Sequence, residues 1–171
     1  MPYVDLNTIH NPATGTIAPA SWGDQVRDNL EFLIDPPYCS VFNSAVQNIA
    51  NNTNVALTAN SENFDNNAMH STVSNTSRMT IQTAGRYQFI STVAFASNGT
   101  GLRQILFRID GTTFITPSVQ ITAVTGSVTS PLLVANIALN AAQYVECMVR
   151  QTSGGALDVT LTEFAAMFVT R

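Results

Sequence analysis

The sequence predicts an all-β fold: a jelly-roll sandwich of about ten short antiparallel strands, preceded by an extended arm and one short α-helix. Three observations predict it. From Tyr38 onward apolar residues recur at a spacing of two, the period of a strand with one face in a core. Clusters of Asn, Ser, Thr and Gly punctuate those runs as turns. No helical period appears among them, which argues against a fold of alternating strands and helices.

Pro36-Pro37 divides the chain into an attachment segment, residues 1–37, and a knob, residues 38–171. The arm runs from Met1 to about Ala20. Pro2, Pro12, Gly15 and Pro19 exclude a long helix, while Tyr3, Val4, Leu6, Ile9 and Ile17 argue against simple disorder. An extended segment that docks on a partner fits both facts. A helix follows, with Ser21 as N-cap and Asp24 three positions on. Trp22, Val26, Leu30 and Leu33 form an apolar stripe, Arg27, Asp28 and Glu31 lie on the other side, and Asp35-Pro36-Pro37 stops the helix. So short a helix is unstable alone and must pack its stripe on the domain, on sister helices or on a larger assembly. Trp22 has two readings, filler at the base of the domain or an anchor in a neighbouring protein.

In the knob, Tyr87, Phe89, Val93 and Phe95 face one way and Ile90, Ala94 and Ala96 the other. Ile105, Phe107 and Ile109 alternate with Gln104 and Arg108, and Asp110-Gly111 makes a hairpin turn. Val145, Cys147 and Val149 form one inward set and Leu157, Val159 and Leu161 another, after the Ser153-Gly154-Gly155 turn. Phe164–Thr170 is the last strand. Further strands are expected near 40–46, 55–57, 79–81, 115–125 and 128–139, with 48–54 a loop or strand edge.

Several strands are apolar on both faces, although a sandwich strand needs only one face in the core. The surplus predicts a closed homotrimer, with Tyr87, Phe89, Tyr144, Met148, Phe164 and Phe168 as its interface residues. Composition agrees. Of 171 residues, 45% are hydrophobic and only 11% charged, against about 25% charged in ordinary soluble domains. Net charge is −4 with no Lys, which sets aside a nucleic-acid partner. No run approaches the ~20 apolar residues of a membrane helix, and Met1 to Asp5 lacks the basic start and apolar run of a secretory leader. Cys39 and Cys147 are expected as reduced, buried thiols.

Groups that carry chemistry are sparse. His10 and His70 have no zinc-binding spacing, and no nucleophile elbow or phosphate loop appears. His70 is expected at the surface or an interface. Glu146 and Glu163 are expected to form structural ion pairs with Arg150 or Arg86. Asp65 with Asn66 and Asn67 either holds a cation or forms an ordinary turn. The chain is therefore not expected to be an enzyme, and no metal or cofactor is expected.

Two resemblances add to this. Phe64-Asp65-Asn66, Thr83-Ala84-Gly85-Arg86-Tyr87-Gln88-Phe89, Gly101-Leu102-Arg103, Ile109-Asp110-Gly111, Leu139-Asn140-Ala141-Ala142-Gln143-Tyr144-Val145 and Phe164 resemble the trimeric jelly rolls of the complement-globular-head and tumour-necrosis-factor-like class. That family commonly has Gly-Asp where this chain has Ala142-Gln143. The resemblance covers about residues 38–171 and implies a compact homotrimer with one flat end for binding. Tyr3-Val4-Asp5-Leu6 through Trp22-Gly23-Asp24-Gln25-Val26-Arg27-Asp28-Asn29-Leu30 resembles the leader of small structural proteins of tailed bacteriophages. Together they imply a virion structural protein: a capsid decoration or head-fibre trimer, attached to the major capsid protein or another virion protein through Tyr3, Leu6, Ile9, Trp22, Val26 and Leu30. The alternative is a tail-associated or receptor-binding tip that recognises a host glycan or receptor through loops such as 97–101 and 153–155. Those tips carry Ser, Asn, Thr and Gly but no aromatic residue.

Overall fold

A computed structural model describes residues 20–171. The chain divides between Pro37 and Tyr38 into two compact units. In the first, α1 spans Ala20–Ile34. The expected cap gives way here: Ser21 lies inside the first turn. Asp35 N–H closes the last turn on Glu31 O at 2.8 Å, and the two prolines prevent continuation. Arg27 holds Asp24 at 3.0 Å and Glu31 at 3.8 Å, as the i, i+3 and i, i+4 spacings allow, and also reaches the adjacent Asp28 at 3.1 Å.

The second unit is a two-sheet antiparallel sandwich. Its strands are β1 (Tyr38–Phe42), β2 (Gln47–Ile49), β3 (Val55–Ala56), β4 (Ser61–Asp65), β5 (Arg78–Thr80), β6 (Gly85–Phe95), β7 (Leu102–Ile109), β8 (Thr113–Thr122), β9 (Leu132–Leu139), β10 (Tyr144–Gln151) and β11 (Leu157–Thr170). Sheet A runs β4-β1-β11-β6-β9, with β2 beside β11; sheet B runs β3-β10-β7-β8, with β5 beside β10. The expected strands at 157–161 and 164–170 join across a bulge as β11, β8 runs 113–122 rather than 115–125, and three further assignments differ for local reasons. β1 stops at Phe42 because the buried Asn43 accepts Ala45 N–H at 2.8 Å and donates to Thr58 O at 2.7 Å, turning the chain. β4 was not expected, since Ser61–Asp65 is an exposed polar edge without alternation. β9 starts at Leu132 because Pro131 has no N–H for the ladder, leaving Thr129 as an isolated bridge to Phe95.

The core lies between the sheets. Large rings from both fill it: Phe107 stacks on Phe164 at 5.7 Å, and Phe89 meets them at 5.8 and 6.0 Å. Such pairs add about 0.5–1.5 kcal/mol each beyond area burial. Tyr87 packs edge-on against Phe168 at 5.4 Å and donates its hydroxyl to Thr83 O at 2.7 Å.

Burial pushes the Tyr87 phenol up to about 12 and the Cys147 thiol up to about 12, and it raises the Cys39 thiol as well, with Asp65 and Glu62 adding to the shift. Each folded-state value lies above its unfolded one, so each group contributes stability that is complete below the unfolded value and lost as pH rises through the folded value. Stability is therefore expected to fall as pH rises from about 9 toward about 12. Urea midpoints measured across that range check it, and Tyr87→Phe should flatten the part above pH 10.

At one end of the sandwich, two fully buried polar side chains bind the loops. Arg103 donates to the carbonyls of Asn98 (2.7 Å), Thr100 (2.9 Å) and Leu102 (3.0 Å). Gln151 donates to Ile49 O and Gly155 O and accepts from Ser153 N–H. Gly101, at φ +75°, fits only without a side chain: a Cβ there would lie 1.9 Å from Thr152 O. Asp110 (φ 49°) and Gly111 (φ 70°) make the expected turn between β7 and β8.

Candidate functional site

Strand alternation leaves the other face of sheet A outside the core. The register aligns Phe64 with Ser40, Ser40 with Ala165, Ala165 with Ile90 and Ile90 with Val134, one row across five strands. A parallel row aligns Tyr38, Met167, Gln88 and Asn136. Tyr38 and Phe64 rings lie 5.4 Å apart. Val134 is 43% exposed, Met167 44%, Phe64 46% and Leu132 55%. Polar contacts border this band: Ser40 donates to Glu163 at 3.3 Å, and Gln88 faces Asn136 at 3.5 Å. The face thus presents Phe64, Val134, Leu132 and Met167 as exposed apolar side chains around a centre, Ser40 and Ala165, that the single chain already buries.

The expected interface residues fall elsewhere. Tyr87, Phe89 and Phe164 are core residues, 0%, 0% and 3% exposed, and Phe168 packs against that core. Their rings fill the space between the sheets and leave no surface for a neighbour. Met148 is buried within the single chain, and Tyr144 lies on the outward face of sheet B beneath the Arg78 guanidinium, 4.1 Å from its ring centre. The outward apolar side chains of β6, β9 and β11 are of the opposite parity: Val134, Met167 and Val169 are exposed and Ile90 is half-buried.

Of the expected attachment residues, Tyr3, Leu6 and Ile9 lie outside the described residues. Trp22 and Val26 are half-buried, whereas Leu30 is exposed, together with Leu33 and Ile34. The buried side of α1 carries Asn29 and Phe32 instead. Phe32 stands three residues after Asn29 on one side of the helix, and the polar Asn29 masks that side in the sequence.

The polar groups act as structural ties. His70 is not at the surface: its side chain is 1% exposed, with Nδ1 2.9 Å from Glu62 and Nε2 3.2 Å from Thr76 O. His10 lies outside the described residues. Asp65 accepts the N–H groups of Asn67, Met69 and His70, so its oxygens organise the turn that follows. Glu146 pairs with neither Arg150 nor Arg86 but with Arg108, through Nε at 2.9 Å and Nη2 at 2.7 Å, and accepts from Ser77 at 3.0 Å. The register sets this, placing Arg108 directly opposite Glu146. Glu163 meets Ser40, and Arg150 reaches Asn52. Cys39 and Cys147 are free, buried thiols. Among the described residues no three His, Cys, Asp or Glu side chains converge as a metal site. No helix there is long and apolar enough to cross a membrane.

No family model and no curated protein matches the chain. Solved structures do. The globular domain of zebrafish complement 1qA protein superposes with a TM-score of 0.60 at 14% identity, covering 79% of this chain and 98% of that one. Murine APRIL superposes with a TM-score of 0.56 at 8% identity, covering 78% and 98%. At such identities the likeness is one of fold: the chain carries the two-sheet antiparallel jelly roll of these structures.

Proposed function

We propose that the chain is a non-enzymatic structural module that assembles as a homotrimer through the outward face of sheet A. We place that trimer in a virion, as a capsid decoration or head-fibre protein held by residues 1–37. The observation that carries self-association is the row Phe64–Ser40–Ala165–Ile90–Val134, flanked by Met167 and Leu132. Exposed apolar side chains gathered on one face invite aggregation on a lone subunit, and closed rotational symmetry covers them without leaving a free edge. A count of three rests on the resemblance drawn above, in a fold that complement 1qA and APRIL share.

Attachment to a shell is supported by the leader pattern of residues 3–30 and by Leu30, Leu33 and Ile34, apolar side chains that α1 leaves exposed. Three arms per trimer bind by avidity, so none needs to be tight alone. The major capsid protein is the favoured partner and the particle surface the site of action, after synthesis in the host cytoplasm. A tail-tip role in recognition is the second reading. It is favoured by the far-end loops, which Arg103 and Gln151 hold in a fixed arrangement suited to binding without a large ordering cost.

Mass spectrometry and an electron-microscopy map of purified particles test the reading. The expected result is the protein in the particle, with three-fold knobs on the shell. Density on the tail selects the second reading, and absence from the particle ends both. Chains lacking residues 1–37 should remain outside the particle.

A further inference from the structure

The loop between β4 and β5 encloses a hollow of about 200 Å³ whose lining includes Ser74, Asn75, Arg78, Thr80 and Gln82. Met79 faces the core, so Arg78 and Thr80 on either side of it project from the outward face of sheet B. The hollow therefore lies on the side of sheet B and shares no lining residue with the apolar row of sheet A.

Arg78 is the charge in this hollow, and among the described residues its side chain makes no hydrogen bond or ion pair. Its guanidinium lies instead 4.1 Å from the centre of the Tyr144 ring. Stacking fixes the plane of a guanidinium and leaves its in-plane N–H donors free for a carboxylate. The neighbouring carboxylates do not compete. Glu146, opposite Arg78 in the register, is taken by Arg108 and Ser77. Asp65 is taken by three backbone N–H groups, and Glu62 faces His70.

His70, which also lines the hollow, is held by Glu62 and Thr76 O, and Ser74, Asn75, Thr80 and Gln82 add uncharged donors and acceptors. Gln82 donates to Ala68 O at 2.9 Å, which leaves its own oxygen available. The rim is preformed. Ala68 and Asn75 both sit at φ 51°, and for Ala68 that conformation costs about 1–2 kcal/mol. The Asp65 carboxylate holds it in place by binding the amides of Asn67 and Met69 on either side. Such strain, held by surrounding structure beside a concave polar site, is the pattern of a prepared binding site.

We propose that this hollow binds one acidic sugar residue, with the Arg78 guanidinium on the carboxylate and Ser74, Asn75, Thr80 and Gln82 on the ring hydroxyls. About 200 Å³ suits one sugar unit and excludes a drug-sized ligand, whose pockets start near 300 Å³. The open side lets the rest of a glycan extend into solvent. The inference is independent of where the protein resides and of how many copies assemble.

Titrating the full chain with glucuronate, glucose and acetate, followed by amide NMR, tests it. Glucuronate should bind saturably, shifting the resonances of residues 68–82, and at least about tenfold more tightly than glucose or acetate. Arg78→Gln should weaken glucuronate at least about tenfold, and Ser74→Trp, which fills the hollow without touching the arginine, should do the same. Arg86→Gln should bind as the natural chain does. Failure to saturate, equal affinity for glucose or acetate, shifts confined to other residues, or unchanged binding by Ser74→Trp would each overturn the proposal.

Discussion

Replacing Val134 by arginine is expected to convert the proposed trimer into monomers. Val134 ends the apolar row on sheet A and is 43% exposed on a single chain. In a closed trimer the substitution would bury three cations with no partner, each costing several kcal/mol of desolvation. The assembly has only apolar contact and a polar rim to set against that. Sedimentation velocity at micromolar concentration checks it. The natural chain should sediment at three times its 18.4 kDa mass and Val134→Arg at the single-chain mass. Thr122→Arg, equally polar but exposed on sheet B, should leave the trimer intact. A natural chain that is monomeric under these conditions, or a Val134→Arg chain that still assembles, removes this face as the interface.

The largest loss of folding stability should come from Phe107→Ala. Phe107 is fully buried, stacks on Phe164 and touches Phe89, and so joins sheet B to sheet A across the core. Truncating it removes a ring from a close-packed centre at a cost of about 3–5 kcal/mol, a large share of the 5–15 kcal/mol that holds a typical domain together. The measurement belongs in the Val134→Arg background, so that assembly does not add to apparent stability. There Phe107→Ala should lower the urea midpoint sharply. Ile90→Ala, one residue from Phe89 but on the opposite face, should lower it by no more than about 1 kcal/mol.

The two-residue period made the strands legible. Tyr87–Phe95 and Tyr144–Gln151 lie where alternation places them, and Val145, Cys147 and Val149 face inward as expected. The surplus of apolar surface was legible too, because β6 and β11 carry apolar residues on both parities. Which parity faces outward was not. Large aromatics suit a subunit contact and a sandwich core equally well. Only the pairing of sheets shows that Phe89, Phe107 and Phe164 need one another. Ile90, Val134 and Met167 looked secondary because each is smaller than the ring beside it. The hollow beside Arg78 left little trace in sequence. Its parts, Ser74, Asn75, Arg78 and Gln82, read as a polar loop until the Asp65 turn folds them over β5. The helix misled through Asn29, a polar residue on the covered side.

The two tethers at the far end of the sandwich make its turns unequal as hosts for foreign sequence. Residues 97–101 and 152–155 are threaded through the Arg103 and Gln151 contacts and through the Gly101–Thr152 approach, so a peptide grafted there would pull on a cation that has nowhere else to go. The turn around Gly126 lies outside both tethers and, although its neighbour Thr125 packs against Gly99, Gly126 itself has open space beside it. An epitope, tag or fluorophore meant to ride on this protein belongs there.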